Sequence, residues 1–227
     1  MTPSMFDTIF RLRQRSIIDF VVRYHLATNR VIGSQLLAEI TPNAVAKVTA
    51  RLCALDLLTR YMLIPPETYF RPGSRSIRIL GLSARSTEPL GPQSLPTDYA
   101  TLIYATLGNA SRRRLTPREV DEYMPWLPGD LAQAPYCIDA NGRLDLVRVD
   151  LGGSPQHVAR KTTAAAHERL DIPQVSELAV ASRFQVVVLT TSAEKARAIA
   201  RALSDCGCTD AVRVHLAVIP RLSFLLL

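Results

Sequence analysis

No stretch of this chain approaches the ~18 to 20 consecutive apolar residues that a membrane-spanning helix requires. The closing Phe224-Leu225-Leu226-Leu227 is apolar but far too short, and it reads as an edge strand or a docking tail. Asp7 and Arg11 interrupt the apolar start of the chain, so no secretory signal sequence is expected. Cysteine is scarce. Cys53, Cys137, Cys206 and Cys208 do not form a disulfide framework in 227 residues. Cys206-Gly207-Cys208 lacks the second pair or histidine cluster that would complete a zinc site. His25, His157, His167 and His215 are scattered. Gly152-Gly153 is not followed by the Lys-Ser/Thr of a phosphate-binding loop. Neither a Gly-x-Ser-x-Gly elbow nor a clustered-histidine relaxase signature occurs. These absences predict a cytoplasmic protein with reduced thiols, no metal and no cofactor.

Acidic side chains are in deficit. Lys and Arg total 27 against 20 Asp and Glu, for a net charge of +7 and a pI of about 9.6. A polyanion is therefore an expected partner. The excess is dominated by arginine, whose planar fork suits phosphate and guanine better than lysine does. Hydrophobic residues make up 48% of the chain, which argues for a folded protein. The length fits one large domain or two small ones. No internal repeat appears.

The stretch from Thr41 to Leu80 is the most readable. Thr41-Pro42 predicts a helix start, with a hydroxyl cap and proline at the first helical position. Val45, Val48, Leu52 and Leu55 follow at helical spacing. Asn43, Lys47 and Arg51, four residues apart, stack into a polar stripe on the other side. Arg60 to Leu63, Thr68 to Arg71 and Ser76 to Leu80 read as short extended runs, punctuated by Pro65-Pro66 and Pro72-Gly73-Ser74. Upstream, Met5 to Ala27 reads as a long helix with Ile17, Phe20, Val21 and Tyr24 on its buried face. Arg11, Arg13 and Arg15 stay exposed, and Asn29-Arg30 ends that helix. Ile32 to Ile40 is a second, short helix. Three helices and a hairpin carrying arginines resemble a winged helix-turn-helix over residues 1–83. A plain surface helix with a solvated face is the competing reading of the stripe.

Residues 84–134 read as a linker and helical connector. Ala84 to Pro96 is rich in turn-forming residues, and Thr97 to Leu107 is apolar at helical spacing. Arg112-Arg113-Arg114 fits a solvated loop or a phosphate contact. Thr116-Pro117-Arg118-Glu119 matches a capping box. Trp126, the only tryptophan, is expected where this segment meets the next domain. Residues 135–227 change to an α/β pattern. Tyr136 to Asp139 and Arg143 to Asp150 are strands joined by an Asn141-Gly142 turn. Ser154 to Leu170 is a helix. Phe184 to Leu189 is a strand covered on both faces. Thr191 to Cys206 is a helix ended by Gly207, and Val212 to Ile219 is a last strand. This order predicts a small sheet with helices on both faces.

Asp139 and Asp150 flank the hairpin, as a pair of converging acids would. Nucleases of the PD-(D/E)xK type hold magnesium between acids of neighbouring strands, because this hard cation takes oxygen ligands in octahedral geometry. Their lysine, two residues on, positions the attacking water. Here Gly152 stands at that place. If the acid is taken two residues earlier, Arg148 replaces it. Lys161, on the next helix, is the remaining cation. A strand-end Asp beside a turn is the ordinary alternative.

The chain resembles the replication-relaxation family of plasmid and mobile-element proteins over nearly its full length. The likeness rests on Arg60-Tyr61, Ile138-Asp139, Val149-Asp150-Leu151-Gly152, Arg160-Lys161, and Phe184 to Thr190 before a helix. That family's strand usually reads Glu-x-Asp-x-Gly, where this chain has Arg148-Val149-Asp150-Leu151-Gly152. The resemblance implies an α+β and α/β protein: a winged helix domain followed by a restriction-endonuclease-like domain. It implies duplex DNA binding in plasmid replication, mobilisation or gene control. With the glutamate and lysine missing, the second domain is expected to be an inactive nuclease relative with a degenerate pocket of Asp139, Asp150 and Lys161.

The expected DNA contacts are Asn43 and Arg51 to base edges, and Lys47, Arg71 and Arg75 to phosphates. A homodimer is expected, because paired half-sites raise the affinity of a small footprint. A metal-dependent nicking enzyme and a scaffold in a conjugation or replication complex are the rival functions.

Overall fold

The computed structural model describes residues 5–106 and 111–226. They form a mixed α and β protein with a three-stranded antiparallel sheet and a five-stranded mixed sheet. The chain divides into two compact units, residues 1–91 and 92–227. No helix among the described residues is long and apolar enough to cross a membrane.

The first unit begins with α1 (Met5–Tyr24). It stops before the expected Ala27 because His25 takes a left-handed backbone, φ 65°. β1 (Ala27–Thr28) follows, then α2 (Asn29–Leu36), with Thr28 Oγ1 capping Val31 N. Asn29-Arg30 therefore opens a helix rather than closing one. α3 (Pro42–Ala54) starts where expected, with Thr41 as its cap. β2 (Leu58–Ile64) and β3 (Glu67–Pro72) form a hairpin, and β1 pairs with β3 on its other edge. Ile17, Val21, Ile32, Val45, Leu52, Leu58 and Phe70 make the core of this unit.

Ser76 to Leu80 is helical, as part of α4 (Ser74–Leu80), and not a third extended run. Gly73 lies so close to the Asp56–Leu57 backbone that a Cβ there would meet Asp56 O at 2.3 Å. The chain turns at that contact, and Ser76 Oγ donates to Leu57 O at 2.7 Å. Alternation of Ile77 and Ile79 mimics a strand, but local anchoring decides for helix.

The Ala84 to Pro96 segment is not a free linker. Ala84–Thr87 forms a 3-10 turn. Tyr61 donates its hydroxyl to Thr87 O, and Leu90 N donates to Tyr69 Oη at 3.0 Å. The division at Gly91 lies beyond the last of these ties.

The second unit opens with α5 (Ser94–Thr106); the expected end at Leu107 lies outside the described residues. β4 (Arg112–Arg114) follows, which places the three arginines in a strand rather than a loop. Next come α6 (Pro117–Tyr123), with its capping box, and α7 (Gly129–Ala132). β5 (Tyr136–Asp139) and β6 (Leu144–Val149) form the expected hairpin. α8 (Pro155–Leu170), α9 (Pro173–Val180) and β7 (Phe184–Thr190) follow. α10 (Ala193–Asp205), α11 (Cys208–Ala211) and β8 (Val214–Val218) complete the α/β part. Phe224 and Leu225 lie in a 3-10 turn, Leu222–Leu225, instead of an edge strand, and Leu227 lies outside the described residues.

The sheet order is β4-β5-β6-β7-β8, antiparallel up to β6 and parallel from β6 to β8. Every residue of β7 is buried, as its unbroken apolar run requires. Side chains alternate between faces. Leu144, Leu146, Phe184 and Val186 pack with Ala159 and Ala166 of α8 and Ile199 and Leu203 of α10. Asp145 and Gln185 point to the other face, where Tyr104 of α5 reaches Asp145. Trp126 packs against the core of this unit.

Candidate functional site

The α3 helix presents two unlike faces. Val45, Thr49 and Leu52 are buried, while Asn43, Lys47 and Arg51 are exposed. Thr49 Oγ1 donates to Asn29 Oδ1 at 2.8 Å, which pins α3 to the start of α2. The rotation of α3 is thus set by its apolar residues and one side-chain bond. Arg75 is exposed, but it stands on α4 and not on the hairpin. Arg60 is an exposed hairpin arginine outside the expected set of contacts; its guanidinium lies 5.6 Å from the Phe70 ring centre.

Arg71 corrects the expected set of phosphate contacts. It is 8% exposed. Its guanidinium donates to the carbonyls of His25, Arg85 and Glu88. Three backbone acceptors from separate segments converge there, so Arg71 ties the first unit together. Strand alternation hid this, because Tyr69, Phe70 and Arg71 are all buried on β3.

Asp139 and Asp150 do not converge. Cys137 faces Asp145 in the ladder, which puts Asp139 opposite Arg143. Asp150 is then seven residues further along β6, roughly 20 Å away at strand rise. The two also lie on opposite faces by alternation. Asp139 accepts from Asn141 N and Arg143 N, both at 2.9 Å, and pairs with Arg143 at 3.1 Å. It is a turn acid. Among the described residues, no group of three or more His, Cys, Asp and Glu could hold a metal ion.

Asp150 sits at the carboxyl end of β6 and is buried. Lys195 Nζ lies 2.7 Å from Oδ2, Thr190 Oγ1 donates to Oδ2 at 2.9 Å, and Gly152 N donates to Oδ1 at 3.1 Å. Neither Thr190 nor Lys195 was legible as a partner of Asp150. The signal is the parallel register, which pairs Val149 with Leu189 and so sets Asp150 beside Thr190. Ser192 caps α10 and brings Lys195 into its first turn.

Beside Asp150 lies a cavity of about 370 Å³, lined by Arg148, Lys161, His157, Thr162 and Val188 among others. Lys161 lines this cavity together with Asp150, while Asp139 is not among its lining residues. The position matches the usual ligand crevice of α/β sheets, outside the carboxyl ends of parallel strands.

The opposite face of the sheet holds a second polar group. Asp145 is fully buried. It accepts from Tyr104 Oη and Gln185 Nε2, both at 2.8 Å, with Arg143 at 3.5 Å and Arg112 at 3.6 Å. Burial, then the Asp145 charge, pushes the Tyr104 hydroxyl far above its ordinary range. Burial also raises the Cys137 thiol to about 12, again with Asp145 contributing. His215 is held below its usual value by burial and by Arg112. Arg114 pairs with Asp98 at 2.7 Å, and Arg113 with Glu119. The three arginines of β4 are therefore engaged within the unit.

No protein-family model matches the chain, and comparison with curated proteins and with solved structures returned no match.

Proposed function

We propose that this chain is a sequence-specific double-stranded DNA-binding protein of a plasmid or mobile element, of the replication-relaxation type. It acts in transcriptional regulation or in replication and mobilisation. In this reading the first unit is a winged helix-turn-helix. α3 enters the major groove, and the β2–β3 hairpin lies along the phosphates. The second unit is a restriction-endonuclease-like domain without nuclease activity, which supplies the homodimer contact or a partner surface.

The observation that carries the reading is the outward stripe of Asn43, Lys47 and Arg51 on a helix whose other face is core. Asn pairs with adenine and Arg with guanine on the major-groove edge, and Lys neutralises phosphate. Exposed Arg60 and Arg75 add positive charge to this unit. The net charge of +7 favours a polyanionic partner.

The test is fluorescence anisotropy of the purified protein on labelled duplexes from its own genetic neighbourhood, across a salt series. Tight binding to one fragment, falling steeply with salt, is the expected result. Equal binding to every duplex would remove sequence specificity. No binding to any duplex at low salt would remove the DNA reading.

A further inference from the structure

Arg148 projects from β6 into the cavity at the carboxyl end of the sheet, half-buried. It has no hydrogen bond or ion pair among the described residues. Burial, together with the nearby Arg169 guanidinium, lowers its pKa, and Glu168 only partly offsets this. An arginine in that position is short of negative charge. The one carboxylate that lines the cavity, Asp150, is already matched by Lys195 at 2.7 Å. Lys161 lines the same cavity and adds a second positive charge.

Thr162 lines the cavity as well. It is 1% exposed, and its Oγ1 has no hydrogen-bond partner. A buried hydroxyl without a partner costs free energy and marks a place where a polar group belongs. A magnesium-type cation does not fit, since the charges left over are those of Arg148 and Lys161. An anion does.

We propose that this cavity binds a phosphate monoester. Arg148 and Lys161 match the two negative charges of the dianion, and the Thr162 hydroxyl donates to one of its oxygens. Val149, Leu151, Val158 and Val188 line the remaining space, which suits the organic part of the ester. The cavity, at about 370 Å³, has the size of a small-molecule site and is larger than one inorganic anion needs. Two sources share this chemistry: a free phosphorylated small molecule and the 5′-phosphate end of a nucleic-acid strand. The inference does not depend on duplex binding by the first unit.

The experiment is calorimetric titration of the full chain with adenosine 5′-monophosphate, adenosine and inorganic phosphate. The monophosphate should bind, inorganic phosphate more weakly, and adenosine not at all. Arg148→Gln should weaken the monophosphate at least tenfold, and Thr162→Val several-fold. Lys161→Gln, on an exposed helix face, should also weaken it while leaving the melting curve unchanged. That variant keeps the test valid if Arg148→Gln fails to fold. A 5′-phosphorylated single strand compared with its 5′-hydroxyl twin separates the sources. A tenfold preference for the phosphorylated strand, exceeding monophosphate affinity, assigns strand ends; tighter monophosphate binding assigns a free small molecule. Equal binding of adenosine and its monophosphate, no binding of either at millimolar concentration, or wild-type affinity in Lys161→Gln would overturn the proposal.

Discussion

Lys195 Nζ stands 2.7 Å from Asp150 Oδ2, joining the first turn of α10 to the end of β6 across 45 residues of chain. The carboxylate is buried and the ammonium group is partly exposed, so the pair is a tie between strand and helix. Removing one partner of a buried ion pair leaves an uncompensated charge. Lys195→Met should cost about 3 kcal/mol of stability in a denaturant melt. Lys195→Met with Asp150→Asn should recover most of it. Additive losses in the double variant would show that the two groups do not couple.

The same pair bears on catalysis. Asp139 is far from Asp150, and Lys195 occupies the Asp150 carboxylate, so these two acids do not share a magnesium ion. Supercoiled and linear DNA incubated with magnesium or manganese should remain uncut. Cleavage by the wild type that disappears in Asp150→Ala would refute this.

Arg51 and Arg75 should behave differently on DNA. Arg51→Ala should lose about 1 to 3 kcal/mol and relax the preference at one base position. Arg75→Ala should weaken specific and random duplexes alike and lower the salt slope by about one. A loss in Arg51→Ala that is uniform over all sequences would move that side chain to the backbone.

Arg71→Ala should act on folding and not on the salt slope. The guanidinium holds three carbonyls of the first unit, and charged hydrogen bonds contribute ~1.5 to 3 kcal/mol. A loss of about 3 kcal/mol in thermal or urea melts is expected. Full stability with a reduced salt slope would return Arg71 to the phosphate contacts.

Alkaline pH should destabilise the second unit. The folded-state pKa of Cys137 is raised to about 12. Between roughly pH 9 and 12 the unfolded thiol has lost its proton and the folded one keeps it. Stability contributed by this group is therefore complete below about pH 9 and is lost as pH rises, at up to ~1.4 kcal/mol per pH unit. Cys137→Ala should flatten that slope in denaturant melts taken at successive pH values. A thiol reagent at pH 8 should label exposed Cys206 and spare Cys137 until the protein unfolds.

Much of the architecture is determined by short-range chemistry. Thr41-Pro42, Thr116-Pro117 with Glu119, and Ser154-Pro155 place helix starts because capping hydroxyls and proline act within one turn. Asn141-Gly142 places the hairpin, with Gly142 at φ 74°. The apolar run at Phe184 locates a strand buried on both faces. The outward stripe of α3 was equally legible, since helical periodicity alone separates Asn43, Lys47 and Arg51 from Val45 and Leu52.

Contacts between distant segments decided the rest. Arg71 reads as a surface arginine until three carbonyls from elsewhere close around it. Arg112 to Arg114 read as a loop until β5 pairs with them. Asp139 and Asp150 look convergent because a hairpin joins them, yet antiparallel register carries residues apart with every step from the turn. The partner of Asp150 comes instead from parallel pairing of β6 with β7 and from the cap that starts α10. Periodicity and capping act over a few residues, whereas ladder register and buried charge pairing depend on packing between segments far apart in the chain.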